Sequence, residues 1–169
     1  FNVLTSSHFG VSQKRKRLFV IGIREDIGKT VGITDEKDIL QLYPVGSNYE
    51  PTIKDCLEGI DIDVRERNFL LTKCRKSSDY EILRHLPVNP DRPLKPENVI
   101  TGWKGNFNLV RSSWDKPCVT LTQLGQQIGQ GGVHHPTENR MFTISELKRL
   151  TSLPDDFVLT GTFNQKAER

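Results

Sequence analysis

Five consecutive polar residues, Gln13-Lys14-Arg15-Lys16-Arg17, run directly into the apolar Leu18-Phe19-Val20-Ile21-Gly22. The apolar run predicts a buried strand from Arg17 to Ile23, preceded by the turn-like Phe9-Gly10-Val11-Ser12. A strand set behind a cationic cluster holds its guanidinium groups in fixed directions. Planar, multi-donor groups held in this way recognise a phosphate or the edge of a base. Alternate residues of an extended chain point to the same face. Arg15 and Arg17 therefore share one face, and Lys14 and Lys16 take the other. The arginine face suits a specific pocket. The lysine face suits either long-range steering of a polyanion or plain solvated surface.

Other chemistry-bearing residues are less persuasive. His134 and His135 are adjacent, so their rings point in different directions, and neither has a partner at ligand spacing. No metal is expected. Cys56, Cys74 and Cys118 are odd in number and widely spaced, which favours reduced thiols over a disulfide framework. Cys118 precedes the β-like Val119-Thr120-Leu121-Thr122, a setting that buries a small thiol for packing. Asp155 and Asp156 sit in a turn, which favours local hydrogen bonding to the backbone over acid–base work.

The elements that must position these groups are unevenly legible. A chain of 169 residues is long enough for one domain with a core or for two small lobes. No run of the sequence is long and apolar enough to span a membrane, and no signal-peptide pattern opens it. Residues 51–59 predict a short helix with Pro51 in the first turn, an apolar face of Ile53, Cys56 and Leu57, and Gly59 as terminator. Residues 68–74 suggest a strand, as do 106–112 and 117–123. Pro87, Pro90, Pro93 and Pro96 exclude regular helix from 86–97 and mark a connector. Residues 125–132 read as a glycine-rich loop. The cleanest local signal is Thr143-Ile144-Ser145-Glu146, a capping box opening a short helix whose buried side is Ile144, Leu147 and Leu150. Leu153-Pro154 ends that helix.

Charge is distributed unevenly behind a net +3. Residues 1–24 hold five cations and no acid, 25–67 hold 5 basic and 11 acidic residues, and 68–169 hold 14 basic and 10 acidic residues. Basic ends around an acidic middle fit a molecule that meets a polyanion on one side.

Three blocks stand in fixed order: Phe9 to Gly22 with its Gln-x-Arg-x-Arg pattern, a long variable stretch, and Glu138 to Leu150 followed by Leu153-Pro154-Asp155-Asp156-Phe157. The chain resembles the C-terminal part of a DNA cytosine-5 methyltransferase. The first block is similar to that family's Gln-x-Arg-x-Arg motif, and the last to its Arg-x-x-Thr-x-x-Glu helix followed by Pro-Asp-Asp-Phe. The two blocks make up roughly a quarter to a third of the chain; the middle matches by position and size alone.

The resemblance implies a mixed α/β fold. Residues 1–24 and 140–169 would form the edge of a Rossmann-like catalytic lobe, with a small irregular β-containing target-recognition domain over 25–139. It implies double-stranded DNA as partner, S-adenosylmethionine as cofactor of the full enzyme, and a bacterial, cytoplasmic setting. Arg15 and Arg17 would line the pocket for a flipped cytosine, with Gln13 nearby and Lys14 and Lys16 toward phosphate. Arg140 would hold either the recognition lobe or a DNA phosphate, and Thr143 and Glu146 would be helix caps. Base reading would fall to Trp103, Lys104, Asn106, Asn108, Arg111, Gln123, Gln126, Gln127 and Gln130. The family's cofactor loop, its Pro-Cys nucleophile motif and its Glu-Asn-Val motif would all lie upstream of the first block. The expectation is therefore a piece that does not methylate DNA alone and that pairs with a catalytic lobe of the same protein. Pro117-Cys118 matches the nucleophile dipeptide but stands in the wrong order. Two other readings remain at this level: a non-catalytic DNA-binding specificity module with the same recognition lobe, and a protein-interaction domain with chance basic clustering.

Overall fold

The computed structural model describes residues 1–104, 109–122 and 132–167. The fold is mixed α/β with small sheets. Strand β1 (Asn2–Thr5) pairs antiparallel with β3 (Lys16–Phe19), register Asn2 to Phe19 and Thr5 to Lys16. A 3-10 turn over Ser6–Phe9 separates them and closes on Gly10 at φ 87°, a left-handed position that suits glycine. Strand β2 (Gln13–Lys14) lies parallel to β5 (Cys118–Val119). Strand β4 (Val110–Arg111) lies parallel to β6 (Val133–His134), and single bridges to Leu94 and Met141 extend that ribbon on both sides.

Seven helices accompany these strands among the described residues: α1 (Glu25–Val31), α2 (Glu36–Leu40), α3 (Ile53–Leu57), α4 (Val64–Arg75), α5 (Ser78–Leu83), α6 (Ile144–Leu150) and α7 (Phe163–Ala167). None is long and apolar enough to cross a membrane. The main core joins α3 to α6 through Ile53, Leu57, Phe142, Leu147 and Leu150, closed by Cys118, Leu121 and Val133. A second cluster packs Cys74, Ile82, Leu83, Leu86 and Leu109 between α4, α5 and the approach to β4.

Several expectations are corrected. The strand behind the basic run is shorter than Arg17 to Ile23 and is exposed rather than buried, Leu18 at 60% and Val20 at 75%. It belongs to a two-stranded ribbon, and its far end is held by Tyr43, whose hydroxyl donates to the Phe19 carbonyl (3.0 Å) and accepts from the Ile21 N–H (3.2 Å). Residues 68–74 are helical, within α4. Asp63 caps that helix by accepting from the backbone N–H of Arg65 (2.8 Å), and Leu70 and Cys74, four residues apart, face the core. A short apolar run does not separate strand from helix by itself; the cap decides.

Helix α3 starts two residues later than expected, at Ile53. Pro51 lies before the helix instead of in its first turn; Thr52 is the cap, in a reciprocal box with Asp55, and Gly59 at φ 64° follows the end. The proline-rich connector has no α-helix, only a 3-10 turn over Pro96–Asn98. Of the β composition at 106–112 and 117–123, the described residues form the two-residue strands β4 and β5, and 106–108 and 123 lie outside the described residues. The glycine-rich stretch 125–132 lies, save Gly132, outside the described residues.

Candidate functional site

The Gln13–Arg17 block reaches its position through two pairings at once. Gln13 and Lys14 pair with Cys118 and Val119, which seats Gln13 against the core; Lys16 and Arg17 pair with Thr5 and Leu4. Arg15 lies between the two strands, its N–H donating to Ser6 Oγ (3.1 Å). The chain therefore passes from one ribbon to the other at the arginine.

Arg15 and Arg17 line one cleft of about 640 Å³, with Gln13 beside them. Lys14 and Lys16 do not line it. Lys14 turns to Glu50 (3.4 Å), a carboxylate also hydrogen-bonded by Ser7 and held below its ordinary range by that hydroxyl above all. The two arginines thus share one cleft that neither lysine lines. Another wall of the cleft is α6, through Ile144, Leu147 and Lys148, with its C-cap Thr151. Thr120 to Thr122, the continuation of β5, and Lys166 of α7 complete it.

Among the described residues the cleft lining carries four cations, Arg15, Arg17, Lys148 and Lys166, and no carboxylate. Among the described residues neither Arg15 nor Arg17 enters an ion pair. Arg15 reaches only the Leu121 carbonyl (3.5 Å), and Arg17 the Lys16 carbonyl (2.7 Å). Unpaired guanidinium groups over an apolar floor favour an anion or an electron-rich oxygen. Their stems border a second, apolar groove of about 410 Å³ lined by Leu4, Phe9, Phe19, Val20 and Tyr43.

Arg140 is not a surface phosphate ligand. It is 1% exposed and donates two bonds to Glu146, at 2.7 and 3.0 Å, and one each to Glu138 and the Met141 carbonyl (3.0 Å). Burial opposes the charge on Glu146, yet Arg140 outweighs it and keeps the carboxylate ionised. Glu146 also completes the box on Thr143, accepting from its N–H (2.7 Å). Burial likewise opposes the Glu138 carboxylate, but Arg67 and Arg140 together draw it down to about 2. Of the two roles open to Arg140, the structure favours the scaffold.

Arg111 is a second correction. It is fully buried and donates to the carbonyls of Leu83 (3.0 Å), His135 (3.2 Å) and Glu138 (3.0 Å) and to Asn139 Oδ1 (2.6 Å), so it ties three segments together instead of facing a base. Burial lowers its pKa to about 10, which leaves it charged at neutral pH. Asp155 departs from its expected role too: its carboxylate takes the guanidinium of Arg149 (2.7 to 3.2 Å).

The two histidines serve different neighbours. His134 Nδ1 lies 3.2 Å from the Gly132 carbonyl and its Nε2 lies 3.8 Å from Asp79. His135 Nδ1 accepts from the N–H of Thr137 (3.3 Å) and Glu138 (3.1 Å), so its proton sits on Nε2, toward Glu146 (3.6 Å). Burial pushes both rings down to about 4. For His135 the cation of Arg140 adds to burial, while the carboxylates of Glu146 and Glu138 oppose it. Among the described residues no group of His, Cys, Asp and Glu could hold a metal ion.

Burial raises all three thiols: Cys74 to about 11, Cys56 and Cys118 in the same direction. An attacking cysteine needs a lowered value. Cys118 lies wholly within the core, as its β-like context predicts. Lys104, at the edge of the described residues, is exposed and Trp103 is half-buried. Asn106, Asn108, Gln123, Gln126, Gln127 and Gln130 lie outside the described residues. Sequence reasoning missed the cleft residues Thr120, Thr122, Lys148 and Lys166. Only the parallel pairing of β2 with β5 brings the first two there, and no local pattern announces it.

A family model for C-5 cytosine-specific DNA methylases matches residues 1–169. The Type II methyltransferase M.Sau96I of Staphylococcus aureus is 31% identical over 172 residues, covering 95% of this chain and 36% of that protein. M.Eco47II of Escherichia coli is 30% identical over 173 residues, covering 97% of this chain and 39% of its own length. M.PspPI of a Psychrobacter strain is 27% identical, with 93% and 38% covered. The chain thus spans less than two-fifths of the length of these relatives. A match over every residue, with two relatives at or above 30% identity across nearly the whole chain, places it in the C-5 cytosine-specific DNA methylase family.

Proposed function

We propose that this chain supplies the target-recognition portion and part of the cytosine pocket of a DNA cytosine-5 methyltransferase acting on double-stranded DNA. The observation that carries the reading is the convergence of Arg15 and Arg17, free of carboxylate partners among the described residues, on a cleft walled by α6. A flipped cytosine attacked at C6 gathers negative charge on its O2 and N3 side. Guanidinium donors held in place stabilise that charge without reorganising. Gln13 offers a polar contact at the same wall, and Lys14 and Lys16 add to the attractive field outside it.

Methyltransferases of this family use S-adenosylmethionine as methyl donor. The cleft does not fit that molecule. Its sulfonium is a cation, and among the described residues the lining offers that cation four like charges and no carboxylate. We assign the donor and the nucleophilic cysteine to a catalytic lobe of the same protein outside these residues. Residues 1–24 and 140–169 would pack against that lobe, and 25–139 would form the recognition domain. The exposed apolar strip at Leu18, Phe19 and Val20 supports such packing. Lys104 and the polar residues at 106, 108 and 123–130 are the base-reading candidates. On this reading the chain alone transfers no methyl group.

The test is the paired substitution Arg15→Ala and Arg17→Ala in the full-length protein. Methyl transfer to duplex DNA should fall by about a hundredfold or more, the scale of losing a transition-state donor, while duplex affinity drops much less. If affinity falls and transfer per bound duplex does not, the pocket assignment is wrong. A full-length protein that binds duplex without transferring methyl groups is a specificity module instead.

A further inference from the structure

The wall that α6 gives to the cleft is only as well placed as the start of that helix. That start is held from a distance. Glu66, in the first turn of α4, accepts a hydrogen bond from the backbone N–H of Ile144 (2.6 Å) across 78 residues of sequence. Its neighbour Arg67 clasps both oxygens of Glu138, Nε at 3.0 Å from each, across 71 residues. Glu138 in turn holds Arg140, Arg140 holds Glu146, and Glu146 closes the box on Thr143. Two successive residues of α4 thereby reach the first turn of α6 by separate routes, one directly to its backbone and one through a chain of charges.

The first N–H groups of a helix have no partner inside it and must find one elsewhere. Thr143 satisfies that of Glu146, and Glu66 satisfies that of Ile144. Ile144 itself lines the cleft, with Leu147, Lys148 and Thr151 following on the same wall. A tilt of α6 would change the distance between that wall and the guanidinium groups of Arg15 and Arg17.

We propose that Glu66 and Arg67 are positioning residues: through them α4 clamps α6 and sets the width of the cationic cleft. The effect on methyl transfer rests on the function proposed above; the clamp itself does not.

The test uses the full-length protein with Glu66→Ala, Glu66→Gln and Arg67→Ala, read in two ways. Amide hydrogen exchange at the start of α6 should quicken about tenfold or more in Glu66→Ala, since losing an acceptor frees that turn to open. It should stay near wild type in Glu66→Gln, whose amide oxygen still accepts. Single-turnover methyl transfer should follow the same order, about tenfold slower in Glu66→Ala, with duplex Kd within about twofold. Arg67→Ala should move both readouts the same way. Its removal leaves Arg140 on Glu138, so it also serves if Glu66→Ala fails to fold. Unchanged exchange in the alanine variants, or a Glu66→Gln protein as impaired as Glu66→Ala, overturns the clamp. A wild-type protein that transfers no methyl overturns the proposed function instead and leaves exchange to decide on the clamp.

Discussion

Arg140 and Glu146 face each other through two hydrogen bonds, at 2.7 and 3.0 Å, and both side chains are 1% exposed. The pair joins the connection after β6 to the first turn of α6. Breaking one side of such a pair leaves an uncompensated charge in the interior. Arg140→Met should destabilise the protein by about 3–5 kcal/mol in urea unfolding. Arg140→Lys should recover little of it, because an ammonium cannot make the two parallel bonds. The double variant Arg140→Met with Glu146→Gln should cost less than the two single losses added together. Additive losses would mean that the two residues act independently.

Stability should also respond to mild acid. The rings of His134 and His135 are pushed down to about 4 by burial, while an unfolded histidine titrates near 6.5. Between those values the unfolded chain binds more protons than the folded one, so stability rises with pH and is lost as pH falls from about 6.5 toward 4. Glu138, drawn down to about 2, works the same way in a lower window. Its contribution is full above about 4.5 and is lost as pH falls toward 2. Denaturant midpoints from pH 7 to 4 should fall steadily, and replacing His134 with Gln should flatten that slope. A flat profile in the unsubstituted protein would contradict the burial of the two rings.

How much of this was legible in the residues depended on how local the cause was. Thr143 to Glu146 was readable because a capping box is closed within four residues, and the structure contains it. That Arg15 and Arg17 share a cleft agrees with the alternation of an extended chain, although the chain changes ribbon at Arg15. Arg111 was not readable. Its partners Leu83, His135 and Asn139 are 24 to 28 residues away, and nothing beside it marks it as a buried tie. The same holds for Leu18, whose apolar type suggested burial although burial depends on what covers the ribbon. For the helix at Asn68 to Cys74 the reason is narrower: the Asp63 cap that announces it lies before the apolar run that suggests a strand.

Thiol chemistry should separate the three cysteines. Cys56 is half-buried, whereas Cys74 and Cys118 are buried, and burial raises all three thiols. A disulfide reagent at neutral pH should label Cys56 first and slowly, with Cys74 and Cys118 reacting only on unfolding. Rapid labelling of Cys118 in the native protein would show that β5 opens and that its thiol is not a core side chain. Cys118→Ala should cost about 1 kcal/mol, in proportion to the small volume removed, and should leave the cleft intact.

Phe142 is the last residue before the Thr143 cap and is fully buried. It sits in the cluster that joins α3 to α6, and its ring lies 5.7 Å from that of His135, which in turn packs edge-on against Trp114 at 5.0 Å. Truncation to alanine removes an aromatic ring from the point where the core meets the charged network. Phe142→Ala should therefore cost about 3–5 kcal/mol in urea unfolding. It should also let the His135 ring hydrate, and since burial is the main cause of that ring's low pKa, the value should move upward toward the ordinary 6.5. Nuclear magnetic resonance titration of the imidazole reads that shift directly. A stability loss below about 1.5 kcal/mol with an unmoved histidine would mean that neighbouring side chains collapse into the space, and that Phe142 is not what keeps the network dry.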